Sequence, residues 1–252
     1  MQAVLYVAHG SRVKAGVEEA ISFVESVKPH IAVEIQEICF LELAQPSILE
    51  GVAACVSKGA TNIAVIPILL LTANHAKQDI PLEIDQAKEL YPNVAFTFGK
   101  PFGLHEKLIS SLHDRVEQKS SMLNKEMDVL LIGRGSSDPA VQTDFQEIAD
   151  ALKQQYQFAN VDICFLYGNG PSFDKTLNQL SEHQRNPVYI VPYLLFTGLL
   201  KNGIKQKIAL QGFSEKEAVL CDCLGYDPNV RDVLRERVEE TLYSNTGSVS
   251  NG

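Results

Sequence analysis

The chain has 252 residues, 45% of them hydrophobic and 21% charged, which is the balance of a globular protein with material for a large core. Twenty-two Lys and Arg against 31 Asp and Glu leave a net charge of −9 with no basic run, which argues against a nucleic-acid partner. The longest apolar runs, Ile63–Thr72 and Val188–Thr197, are too short and too interrupted by proline to cross a bilayer, and the opening MQAVLYVAHGS lacks the basic start of a secretory leader.

Strand-like and helix-like segments alternate along the chain. In the first half, β-branched runs predict strands at Ala3–Ala8, Val33–Phe40, Asn62–Ile66 and Val94–Phe98. Amphipathic stretches predict helices at about Lys14–Val27, Pro46–Lys58, Asp79–Leu90 and Leu104–Lys119. A polar stretch, Gln118–Glu126, then separates two lobes expected at 1–120 and 126–243. The second lobe repeats the alternation, with strands near Asp128–Ile132, Val161–Phe165, Val188–Val191 and Ala218–Cys221. Its helices are expected at about Pro139–Tyr156, Ser172–Glu182, Lys201–Gln211 and Asn229–Tyr243, and the small polar tail 244–252 is expected to fray. Such alternation with apolar strands predicts an α/β fold of parallel sheets covered by helices on both faces.

The two halves are copies of one unit. Val4–Ser11 aligns with Val129–Ser136, Glu37–Glu42 with Asp162–Tyr167, and Ile63–Thr72 with Val188–Thr197, each at a separation of 125 positions. The backbone punctuation is kept in both copies: Gly10 and Gly135, Ser11 and Ser136, Pro67 and Pro192. Three reactive residues are not kept. His9 is matched by Arg134, Glu42 by Tyr167 and His75 by Leu200.

Ligands of open parallel sheets bind beyond the carboxyl ends of the strands, and His9, Glu42 and His75 all follow strands. Were they scaffold, the second copy would need them as well. Two imidazoles and a carboxylate suit a divalent first-row ion such as Fe2+, Co2+, Ni2+ or Zn2+, and three ligands leave coordination positions open. His9, Glu42 and His75 are therefore the candidate metal-binding and catalytic residues, and the site is expected to be asymmetric. The Gly10-Ser11 turn, mirrored at Gly135-Ser136, is equally suited to a structural role and to holding an anion at a helix start.

Competing readings use the same residues. A histidine phosphatase needs Arg immediately before the reactive His, and Ala8 stands there. A metal carrier without turnover predicts a closed, saturated site, whereas Ile68–Leu71 and Tyr193–Phe196 read as pocket walls. His30, His105, His113 and His183 have no companions and read as surface histidines. Five cysteines, an odd count, point to a reducing, cytoplasmic compartment, and the Cys221-Asp-Cys223 pair lacks the second pair a metal cluster would need.

With these residues in view, the sequence resembles the class II tetrapyrrole chelatases in their long, two-repeat form, and within them the Bacillus-type sirohydrochlorin ferrochelatases. The resemblance covers nearly the whole chain. It is carried by Tyr6-Val-Ala-His-Gly-Ser-Arg12, Phe40-Leu-Glu-Leu43, the block Pro67–Pro81, Leu131–Pro139 and Val191–Gly198. It implies two flavodoxin-like (chelatase-like) lobes facing across a cleft, both walls in one chain and hence a monomer. It implies His9 and His75 as the metal-contacting catalytic pair, with Glu42 the accompanying acid.

The implied reaction is insertion of Fe2+ into sirohydrochlorin to give siroheme, with no cofactor beyond the metal substrate. The alternatives are cobalt insertion into the same macrocycle, for anaerobic cobalamin synthesis, and a non-catalytic tetrapyrrole or metal carrier. Sirohydrochlorin is polycarboxylate and the protein is acidic, so local donors must bind it. The candidates are Gly10, Ser11, Arg12, Arg134 and Ser136, with Lys14, Lys77, Ser137 and Lys201 as further ones. Arg134 is favoured, since it takes the place of His9 in the mirrored turn.

Overall fold

The computed structural model describes residues 1–71, 78–120, 124–183, 187–225 and 227–243. In chain order the first repeat gives β1 (Gln2–Ala8), α1 (Lys14–Val27), β2 (Ile35–Phe40), α2 (Ile48–Ser57), β3 (Asn62–Ile68), α3 (Ile80–Leu90), β4 (Ala95–Phe98) and α4 (Glu106–Glu117). The second gives β5 (Asp128–Gly133), α5 (Pro139–Tyr156), β6 (Asn160–Phe165), α6 (Phe173–His183), β7 (Val188–Pro192), α7 (Leu199–Leu210), β8 (Ala218–Leu220) and α8 (Pro228–Tyr243). Every predicted element is present, with ends displaced by at most two residues. The start of α2 shows why. Pro46 accepts a hydrogen bond from Phe40 N at 2.8 Å and so belongs to the strand side. Ser47 then caps the helix: its Oγ accepts from Glu50 N while Glu50 Oε2 accepts from Ser47 N at 2.7 Å.

The strands form two four-stranded parallel sheets, in the orders β2-β1-β3-β4 and β6-β5-β7-β8. Each is the 2-1-3-4 order of a flavodoxin-like sheet, in which the chain winds one way from the first strand and then the other. The reversal leaves a crevice beside the carboxyl end of the central strand. Register fixes what stands there: Ala8 pairs with both Phe40 and Ile68, so β1, β2 and β3 end level with one another. Residues 9, 41 and 69 consequently leave the sheet at one edge.

Alternate residues of the strands feed the core. Leu5, Val7, Ile35, Cys39, Ile63 and Val65 pack with Val52 and Cys55 of α2 and Ile84 of α3. The second repeat builds the equivalent from Leu130, Ile132, Cys164, Ile190 and Phe173. All five cysteines are buried. Burial pushes the Cys55, Cys164 and Cys221 thiols up to about 12, so they behave as small apolar side chains rather than as ligands or nucleophiles. Among the described residues, no helix is long and apolar enough to cross a membrane.

The compact units do not follow the repeat boundary. One comprises Met1–Gly103 and the chain from Arg231 onward; the other comprises Leu104–Val230. The repeats expected at 1–120 and 126–243 and the compact units are thus divided differently: α4 packs in the second unit and most of α8 in the first. The reason is visible at each helix. The buried stripe of α4, Leu108, Leu112, His113 and Val116, brings His113 onto Tyr156 of α5, ring centroids 3.8 Å apart and nearly parallel. Arg115 holds the same unit through Leu224 O at 2.9 Å and Asp227 at 3.1 Å. On α8, Arg237 donates to Pro101 O and Phe102 O, at 3.1 and 2.6 Å.

Candidate metal and tetrapyrrole site

The site begins at the turn out of β1. Leu41 N donates to Ala8 O at 2.9 Å and Glu42 N to His9 O at 3.1 Å, continuing the β1–β2 ladder past the end of the strands. Gly10 then turns the chain with φ +95°, its Cα so close to the neighbouring loop that a Cβ would stand 1.8 Å from Glu42 O. Only glycine serves there. Ser11 completes the turn, its Oγ accepting from Val13 N at 3.0 Å just ahead of α1. This turn aims the imidazole of His9 at the next loop: Nε2 lies 3.4 Å from Glu42 Oε1, with the His9 side chain 20% and that of Glu42 46% exposed. An imidazole beside a carboxylate, both open to solvent, can accept a proton, pass it to water or share an ion. His75 lies outside the described residues; in sequence it follows β3, the strand on the other side of β1.

The second repeat reproduces this frame. Leu166 N donates to Gly133 O, Tyr167 N to Arg134 O, and Gly135 at φ +89° would place a Cβ 1.8 Å from Tyr167 O. Ser136 Oγ accepts from Asp138 N at 3.0 Å. The two edges share geometry and differ in chemistry, which is the pattern expected of one scaffold carrying one reactive centre.

The remaining sequence candidates divide by their surroundings. Arg12 and Arg134 are exposed on the two mirrored turns. Lys14 pairs with Glu18 at 3.1 Å on α1, and Lys201 with Asp222 at 2.8 Å. Asp222 also meets Lys119 at 3.1 Å, and hydrogen bonds from the two ammonium groups hold its carboxyl below the usual range. Lys77 lies outside the described residues. Of the expected walls, Ile68, Tyr193 and Leu195 are buried; β3 runs two residues past its predicted end and takes Ile68 into the sheet.

His113 corrects another expectation, being buried rather than on the surface. With Asp114 and Glu117 it forms a group of three metal-capable side chains, the one such group among the described residues. Its two ring nitrogens face different carboxylates, Nδ1 at 3.7 Å from Asp114 and Nε2 at 3.6 Å from Glu117, and its ring is committed to Tyr156. It reads as a packing residue. His105 caps α4, its Nδ1 accepting from Lys107 N.

A profile of the CbiX family matches residues 3–119 and again residues 128–241. The chain belongs to the CbiX family. It is 44% identical to a sirohydrochlorin ferrochelatase of Priestia megaterium over 98% of this chain and 93% of that one. It is 34% identical to a sirohydrochlorin cobaltochelatase of the same organism, over 96% of this chain and 80% of that one. The fold superposes on a structure of SirB from Bacillus subtilis with Fe3+, at a TM-score of 0.88 and 42% identity, covering 98% of both chains. The double match of the CbiX profile is the same internal repeat that the 125-residue offset displays.

Proposed function

We propose that the protein is a sirohydrochlorin ferrochelatase, inserting Fe2+ into sirohydrochlorin and releasing two pyrrole protons as siroheme forms. The observation that carries the reading is the His9–Glu42 pair, Nε2 to Oε1 3.4 Å, at the carboxyl edge of a sheet whose copy has exchanged both residues. The CbiX relatives named for this reaction, together with a related structure holding iron, support the substrate pair.

In this reading the metal is a substrate and must be held weakly enough to be handed on. Imidazole with carboxylate provides a small, open ligand set of borderline character that suits Fe2+. An imidazole with an ordinary pKa of about 6.5 accepts a pyrrole proton near neutral pH. His9 and His75 serve as ligand and proton acceptor, and Glu42, partly exposed beside His9, passes protons to water. Gly10 and Ser11 set the turn, and Arg12, Arg134 and Ser136 meet the carboxylates of the macrocycle. The enzyme acts as a cytoplasmic monomer, a reading supported by its odd number of buried cysteines and by the two repeats carried in one chain.

Cobalt insertion into the same macrocycle is the second reading, favoured by the cobaltochelatase relative, although at 34% against 44% identity. Purified protein incubated with sirohydrochlorin and Fe2+, Co2+ or Ni2+ under exclusion of oxygen tests both. The expected result is an accelerated change of macrocycle absorption, fastest with Fe2+ at limiting metal. Binding without acceleration identifies a carrier and overturns the reading. His9→Ala and His75→Ala each abolish most turnover with the fold intact.

A further inference from the structure

Among the described residues, two that are not glycine take a left-handed backbone, Gln157 at φ +57° and Leu43 at φ +63°. Gln157 closes α5, a usual place for that conformation. Leu43 closes no helix. It lies in the loop between β2 and α2, directly after Glu42, and is 47% exposed.

A bulky side chain is a costly choice for this conformation, and the second repeat shows the cheap one. The aligned residue, 125 positions on, is Gly168, which takes the same left-handed step at φ +75°. Gly168 lies so tightly on the turn before it that a Cβ would stand 2.4 Å from Ser136 O. The first repeat leaves room for a side chain at this place and keeps leucine where glycine would relieve the backbone. Core packing does not account for the choice. Leu41, two residues earlier, already packs against the core of the first unit, as does Ile48 at the start of α2. Strain kept beside a reactive carboxylate, under a half-exposed apolar side chain, points to a residue retained for what it touches.

We propose that Leu43 is a substrate-contacting residue, an apolar support for the tetrapyrrole beside the His9–Glu42 pair. The proposal rests on the chelatase reading for the identity of the ligand, and every contact it invokes lies within Met1–Gly103, in one compact unit. The loop after β2 then offers the macrocycle two side chains in succession, Glu42 for its protons and Leu43 for its apolar surface. Covering the exposed half of a leucine corresponds to about threefold to tenfold in affinity. Leu43→Gly therefore raises KM for sirohydrochlorin by about that factor and weakens metal-free binding of sirohydrochlorin, read from macrocycle fluorescence, equally. Its kcat stays within about twofold of wild type, and its melting temperature does not fall, since glycine suits the left-handed backbone.

Leu43→Met keeps an apolar side chain of similar size and retains the wild-type KM, whereas Leu43→Asn, which tolerates the backbone but is polar, behaves as Leu43→Gly. Unchanged KM and unchanged metal-free binding in Leu43→Gly would overturn the contact, whatever the melting temperature does, while wild-type insertion left the chelatase reading standing. A fall in kcat with binding unchanged would overturn it too, by showing that the leucine only positions Glu42. Conversely, a wild-type protein that inserts no metal, yet binds sirohydrochlorin less well as Leu43→Gly, would sink the chelatase reading and leave the contact in place.

Discussion

Replacing Gly10 by alanine, beside the mirrored replacement of Gly135, separates the shared scaffold from the single reactive centre. A Cβ at either position would stand 1.8 Å from a backbone carbonyl oxygen, Glu42 O in the first unit and Tyr167 O in the second. Real Cβ atoms come no nearer than about 3.0 Å, so the facing loop must retreat by roughly 1.2 Å. Positive φ adds strain, +95° and +89° respectively, and the two effects together cost on the order of 1–3 kcal/mol at either site.

Stability falls equally in the two variants, by several degrees of melting temperature. Activity does not. In Gly10→Ala the retreating carbonyl belongs to Glu42, whose carboxylate is 3.4 Å from His9 Nε2, and a displacement of about 1 Å at reacting groups costs on the order of 10²-fold in rate. In Gly135→Ala the retreating carbonyl belongs to Tyr167, in the repeat without the His and Glu pair, and kcat holds. Initial rates of Fe2+ insertion at saturating sirohydrochlorin, with thermal melts in parallel, make the comparison. Equal kcat in the two variants would refute the asymmetric site.

Three further outcomes are expected. Glu42→Gln keeps the size and half-exposed setting of the side chain but removes the proton-passing charge, so insertion falls about 10²-fold to 10⁴-fold with melting unchanged. Tyr193→Phe removes a buried hydroxyl that has no hydrogen-bond partner among the described residues, and should stabilise the protein by about 1 kcal/mol in urea unfolding; a loss of stability would show that the hydroxyl is satisfied. Asp222 has its folded pKa lowered by Lys201 and Lys119, so it adds stability above its unfolded pKa of about 3.9 and loses it as pH falls through the lower folded value. Asp222→Asn therefore unfolds more easily than wild type at pH 7, by at most about 1 kcal/mol for so exposed a carboxylate, and the difference closes in acid.

The strands and the edge they form were legible in the sequence because two-sided burial of parallel strands writes continuous apolar runs, and because the repeat doubles each signal. His9 and Glu42 could be paired on paper only by supposing that β1 and β2 are neighbours with level ends, which the register then provides. The packing partner of α4 was not legible. An amphipathic stripe says that a helix is covered, not by which sheet, and α4 and α8 each cross to the other repeat's unit. The burial of His113 was legible and went unread: it stands four residues after Ile109 and three before Val116, on the buried stripe of its own helix. The mouth residues were overdrawn for a related reason. The apolar patterns end β3 at Ile66 and β7 at Val191, yet both strands run through the proline that follows, and β3 carries Ile68 into the core.

The account turns on one ion held at the carboxyl edge of the first sheet. Crystals of the full chain soaked with Co2+ and measured at the cobalt edge would locate it by anomalous scattering. The predicted result is a peak at about 2.0–2.2 Å from the His9 imidazole, a ligand distance typical of first-row ions, abolished by His9→Ala. A peak confined to the His113, Asp114 and Glu117 group, or an ion on the matching turn at Arg134, would contradict it.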